Sequence, residues 1–199
     1  MQLFSVAADY HDGLEFLQHE VKSSKLVIWL GSDLGHFDYV EAATFLREQI
    51  VPLLGANDHF LLGLDLKKSP DIINAAYGTD NTKPIYYYSG ELAKNALRRI
   101  NAQLQADFNL AQFVYDAAYS VEKGCVELFL KSTVDQMVAI HALNLSVTFA
   151  KNERILIHTS YKYDEPAIVQ LAASANLDWK GQWTDEKRWY SLNLFSVKT

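Results

Sequence analysis

The polar residues best placed for chemistry in this chain stand where apolar runs end. Asp9 follows residues 3–8, the loop 31–37 (GSDLGHF) follows the run 25–30 (KLVIWL), and Asp65 follows 59–64 (HFLLGL). A carboxylate so placed can accept an N–H from a ligand or cap a turn, and both readings stay open for Asp9. Gly31 and Gly35 give their loop backbone conformations closed to other residues. Tyr86, Tyr87 and Tyr88, with Tyr115 and Tyr119, could line an aromatic pocket; edge-strand or interface packing is the commoner use of such a run. The six histidines show no H-x-x-x-H or H-E-x-x-H spacing, so no zinc site is expected. Neither a G-x-S-x-G elbow nor a phosphate-binding loop is present. The single cysteine, Cys125, opens the alternating run CVELFL, which reads as burial rather than reactivity.

The elements that must hold these residues follow from periodicity. Strands are expected at 3–8, 25–30 and 59–64, the last two continuous apolar runs of the kind buried in parallel sheets. Helices are expected at 13–21 and 39–51, with Pro52 bending the end of the second. Connections of this length suit right-handed crossovers, so a parallel, doubly wound sheet is predicted, with ligands at the carboxyl ends of its strands. The middle differs: helices at 70–77 and 91–104, then alternating strands at 113–120, 124–131, 137–140 and 143–149. A strand at 154–163, a helix at 165–175 and a hairpin of 179–184 with 189–197 close the chain. The four tryptophans, Trp29, Trp179, Trp183 and Trp189, read as core and hairpin packing.

The bulk properties exclude some partners. A formal charge of −6 with scattered basic residues argues against nucleic acid, which needs a basic surface. No apolar stretch approaches the roughly 20 residues of a membrane span, and residues 1–10 lack a signal-peptide pattern. One cysteine suits a reducing compartment, so a soluble, cytoplasmic protein is expected.

Five ordered blocks carry a resemblance. Residues 29–37 (WLGSDLGHF) resemble F-L-G-S-x-I-G-N-F; residues 63–70 (GLDLKKSP) resemble G-x-D-L-x-K-D-P; Ala75-Ala76-Tyr77 matches A-A-Y; residues 95–101 (NALRRIN) with Ala106-Asp107-Phe108 resemble N-x-L-x-x-I-N with G-A-D-F; and residues 158–163 (HTSYKY) resemble E-x-S-x-K-[FY]. Together they resemble the histidine-specific SAM-dependent methyltransferase family, over roughly residues 5–196. The resemblance implies an α/β fold: a Rossmann-like class I methyltransferase sheet from residues 1–65 and 153–199, interrupted by an α+β substrate-type domain at 66–152. It implies S-adenosyl-L-methionine (SAM) as cofactor, met by Asp9, Tyr10 and Gly31. It places His36, Leu128, His158 and Ser160 at the substrate, and carries over no catalytic residue.

Three of those positions depart from the family. His36 stands for an asparagine that holds the amino acid's amine and carboxylate, and an imidazole cannot copy the amide's paired donor and acceptor. His158 stands for a glutamate that grips a substrate imidazole, and Leu128 for a methionine lining the same pocket. Histidine is therefore not the expected substrate; His158 also reads as a half-buried strand residue. Family members are longer, and no G-x-G-x-G follows a strand here, although close backbone approach to SAM needs glycine. The expectation is a truncated chain: a fragment, a degenerate relative or one half of a complementing pair. Two functions remain: N-methyl transfer to an amino-acid-like amine, or a catalytically silent binding or assembly module. A sheet shorn of its first strands would pair as a homodimer, or with a partner chain, across its edge.

Overall fold

The computed structural model describes residue 7, residues 10–20 and residues 23–198; the strand expected at 3–8, apart from residue 7, and Asp9 lie outside them. The chain divides into two compact units, Met1–Lys67 with Tyr161–Thr199, and Lys68–Ser160.

In the first unit, helix α1 (Tyr10–Glu20) precedes strand β1 (Leu26–Trp29), helix α2 (Tyr39–Phe45) and strand β2 (His59–Asp65). After the second unit come helix α5 (Glu165–Ser174) and strands β8 (Leu177–Thr184) and β9 (Tyr190–Val197). The sheet runs β1-β2-β9-β8. Only β1 and β2 pair in parallel; β9 lies antiparallel to both β2 and β8. The parallel pairing expected of the runs 25–30 and 59–64 is that of β1 with β2, and the terminal hairpin expected at the end of the chain inserts β9 antiparallel against β2. Asp38 starts α2 through a capping box: its carboxylate accepts from the Val40 and Glu41 amides, and its own N–H donates to Glu41. Beyond Phe45 the helix widens into a π turn and then tightens to a 3₁₀ turn at Val51–Leu53, as expected where Pro52 supplies no N–H. Phe60, Leu62, Leu64 and Phe195 point from one sheet face into a core closed by Leu46, Ile168 and Leu171.

The second unit holds helices α3 (Pro70–Tyr77) and α4 (Pro84–Leu104), and strands β3 (Phe113–Ser120), β4 (Cys125–Ser132), β5 (Gln136–Ile140) and β6 (Leu145–Phe149). Strand β7 (Arg154–Tyr161) joins β3 and β4 in the order β3-β4-β7, so its residues up to Ser160 belong to this unit rather than to the first. Tyr86, Tyr87 and Tyr88 are not strand residues. They sit in the first turns of α4, because Pro84 occupies the helix start, where a missing N–H is harmless. Gly78 ends α3 in the left-handed region, with φ 69°. The core gathers Leu97, Phe108, Phe113, Tyr115, Leu130 and Val138. Cys125 is fully buried, as read.

Candidate functional site

Many of the motif residues hold one another. In the first unit the Ser32 hydroxyl accepts the Asp65 amide at 2.9 Å. Asp65 pairs at 2.8 Å with the ammonium of Lys162, a side chain only 2% exposed. Such a buried cation requires its partner. Lys67 pairs with Asp164 at 2.8 Å. Asp164 also caps α5 through the Ala167 amide; burial opposes its ionisation, but Lys67 and the amide outweigh it and hold the carboxyl below its ordinary value. Leu66 and Tyr163 form a parallel bridge between these two stretches. In the second unit the Asn101 amide closes a two-bond clasp on the Phe108 backbone, each bond 2.9 Å. These contacts give the sequence blocks a structural reason that needs no ligand.

Gly31 is exposed with φ 88°, so its glycine is required for conformation. Its N–H donates to the Tyr190 hydroxyl at 3.1 Å. Gly35 is required for space instead: a Cβ there would lie 2.8 Å from the Tyr161 carbonyl. His36 is half-exposed, with Nε2 3.9 Å from an Asp33 carboxylate oxygen. Tyr10 opens α1. Of the residues expected to meet SAM, Gly31 alone has described surroundings, and its N–H is already used within the fold.

The second unit contains a cavity of about 460 Å³ lined by Ala76, Tyr77, Ser89, Leu92, Leu128 and His158, among others. Two of the four expected substrate residues, Leu128 and His158, therefore share one cavity. Ser160 is buried, its hydroxyl 2.8 Å from that of Tyr77. The Tyr115 hydroxyl donates to the Tyr77 carbonyl at 2.8 Å, and the Tyr86 hydroxyl to the Tyr115 carbonyl at 2.9 Å. Burial pushes the Tyr115 phenol up to about 12 and raises that of Tyr86. Both are therefore donors at neutral pH, matched to carbonyl acceptors. Tyr115 and Tyr86 pack edge-on at 5.6 Å, whereas Tyr87 and Tyr88 are exposed. The wall is mainly apolar and, among the described residues, carries no aspartate or glutamate. Sequence reasoning quoted Tyr77 only as part of A-A-Y; its use became visible once β7 was placed beside β4. Among the described residues no acidic, histidine or cysteine cluster could hold a metal ion.

A family model described as histidine-specific methyltransferase, SAM-dependent, matches residues 1–197. The chain belongs to this family. It is 29% identical over 194 residues to the histidine N-alpha-methyltransferase of Mycolicibacterium smegmatis, covering 98% of this chain and 58% of that protein. Against the L-tryptophan methyltransferase of Psilocybe serbica it is 28% identical over 173 residues, covering 83% of this chain and 45% of that one. The chain thus spans about half the length of these relatives. A solved SAM-dependent methyltransferase from Clostridium acetobutylicum superposes with a TM-score of 0.43 at 10% identity, over 92% of this chain and 63% of the other. Among the described residues no helix is long and apolar enough to cross a membrane.

Proposed function

We propose that this chain is the acceptor-side part of a SAM-dependent N-methyltransferase acting on the amine of an amino-acid-like substrate other than histidine. The observation that carries this reading is the second-unit cavity, where His158 and Leu128 form the wall and no carboxylate is present among the described residues. A substrate imidazole offers an N–H that an anionic oxygen would accept strongly; a charge-assisted bond of that kind contributes about 1.5–3 kcal/mol, or roughly 10- to 150-fold in affinity. An apolar wall with the Tyr77–Ser160 hydroxyl pair nearby suits a substrate side chain with little charge. SAM would supply the methyl group. The second unit would be the substrate domain and the first a partial SAM-type domain, in which Gly31 would meet the cofactor and His36 the substrate. A cytoplasmic site and a dimer or partner chain across the sheet edge belong to the same proposal.

The test exchanges the cavity's sign. Titration calorimetry of His158→Glu should show L-histidine binding at least tenfold tighter than to the native chain. Equal binding to both, or tighter binding to the native chain, would reject the reading. A second reading, a silent binding module, draws on the Gly31 N–H being engaged by Tyr190. S-adenosylhomocysteine bound by the chain at submillimolar concentration would dismiss it.

A further inference from the structure

The loop that follows β1 is fastened by a side chain that none of the sequence blocks contains. Gly31 and Ser32 are consecutive residues in the left-handed region, with φ 88° and 62°. Such a pair, the second with a Cβ, persists only where its surroundings hold it. Two bonds do so. The Gly31 N–H donates to the Tyr190 hydroxyl at 3.1 Å, and the Ser32 hydroxyl accepts the Asp65 amide at 2.9 Å. Both tethers end on one cross-strand pair, since Asp65 of β2 and Tyr190 of β9 are register partners. The adjacent Leu66 amide donates to the Trp189 carbonyl at 2.9 Å and fixes that pair at the end of the sheet. Tyr190 reaches Gly31 by laying its ring across β2 at Gly63. A Cβ there would lie 2.8 Å from the ring's Cζ and closer still to the hydroxyl oxygen. Gly63 is thus the gap through which a β9 side chain crosses to the end of β1.

Gly31 itself is exposed, and the nearest described atoms that a Cβ would meet are those of the Asp33 carboxylate, at 3.8 Å. A bare Cα at the carboxyl end of a sheet strand lets a ligand approach the backbone closely. From Ser32 the chain turns at once into the 3₁₀ helix Asp33–His36, so the direction of the Gly31 peptide sets where Asp33 and His36 stand. We propose that Tyr190 is a positioning residue: its hydroxyl, by accepting the Gly31 N–H, holds the loop in the one arrangement that receives the cofactor. The inference rests on the reading that Gly31 would meet an S-adenosyl ligand, and it adds the residue that acts through Gly31. The phenol needs no contact with the ligand. Tyr190→Phe keeps a ring over Gly63 and removes only the acceptor, so it isolates this role.

The experiment compares the full native chain with Tyr190→Phe by calorimetry with S-adenosylhomocysteine and by NMR of the loop amides. The variant should bind S-adenosylhomocysteine roughly three- to tenfold more weakly, the contribution of one neutral hydrogen bond, and its Gly31 amide should exchange faster with solvent. The loop of the variant should also interconvert between two arrangements. The loss of affinity should then equal the inverse of the fraction that stays native-like, read from relaxation dispersion of the Ser32–His36 amides. Two control variants should leave S-adenosylhomocysteine binding unchanged: Asp58→Asn, which loosens the same unit at the opposite end of β2, and Tyr87→Phe, which removes an exposed phenol of the second unit. Equal affinity of the native chain and Tyr190→Phe overturns the inference and leaves the cofactor reading standing. A Gly31 amide equally protected in both chains overturns it too. So does a matching loss in Asp58→Asn, because the hydroxyl would then serve stability alone. Failure of the native chain to bind S-adenosylhomocysteine at millimolar concentration removes the cofactor reading, and the inference with it.

Discussion

Replacing Asp58 by asparagine should remove about 2 kcal/mol of stability from the first unit at neutral pH. Asp58 precedes β2 and is 4% exposed. Its carboxylate accepts from the Lys25 amide at 2.8 Å, the Lys25 ammonium at 2.5 Å and the Gly55 amide at 2.7 Å. The Lys25 ammonium, with the Gly55 amide, outweighs burial and brings the carboxyl from 3.8 to about 2. At about 1.4 kcal/mol per unit, that depression stabilises the folded state by about 2 kcal/mol once the group is ionised. The contribution is fully present above the unfolded value near 4 and is lost as pH falls toward 2. All four tryptophans lie in the first unit, so urea unfolding followed by tryptophan fluorescence reports on it selectively. The gap between the native chain and Asp58→Asn should be about 2 kcal/mol at pH 7 and shrink steadily below pH 4. A gap under about 0.5 kcal/mol at pH 7, the range of ordinary surface changes, or one that widens in acid, would refute the reasoning.

Other perturbations have equally definite outcomes. Gly35→Ala places a Cβ 2.8 Å from the Tyr161 carbonyl and should cost about 1–3 kcal/mol in the same urea assay, as overpacking does. Gly31→Ala meets nothing closer than 3.8 Å, so only its positive φ is penalised and a loss of about 1 kcal/mol is expected. Tyr115→Phe removes the bond that the phenol donates to the Tyr77 carbonyl and should destabilise the second unit by about 0.5–1.5 kcal/mol, visible as faster hydrogen exchange at the end of α3; unchanged exchange would show that the phenol is idle.

Most elements were legible because their signals are local. The runs KLVIWL and HFLLGL became β1 and β2, and the helix over 70–77 ends at Gly78 as its left-handed conformation requires. The start of α4 was not legible, since three consecutive tyrosines favour strands by propensity and the proline that licenses the helix also reads as a breaker. Non-local pairings were equally hidden. The Lys162–Asp65 pair links residues 97 apart, and the placement of β7 beside β4 decides which side chains face the cavity. The lining of the second-unit cavity was partly legible: Leu128 and His158 came together from the family pattern, whereas Tyr77 and Leu92 needed coordinates. Gly35 was singled out for its backbone freedom, whereas what it supplies is room for the Tyr161 carbonyl.

A methyl-resolved NMR titration with Leu128 and the His158 ring as reporters bears on the second-unit cavity and the function proposed for it. L-tryptophan and L-phenylalanine should shift both signals, with L-histidine binding at least tenfold more weakly. Histidine binding tightest, or no ligand moving either signal, would contradict the account.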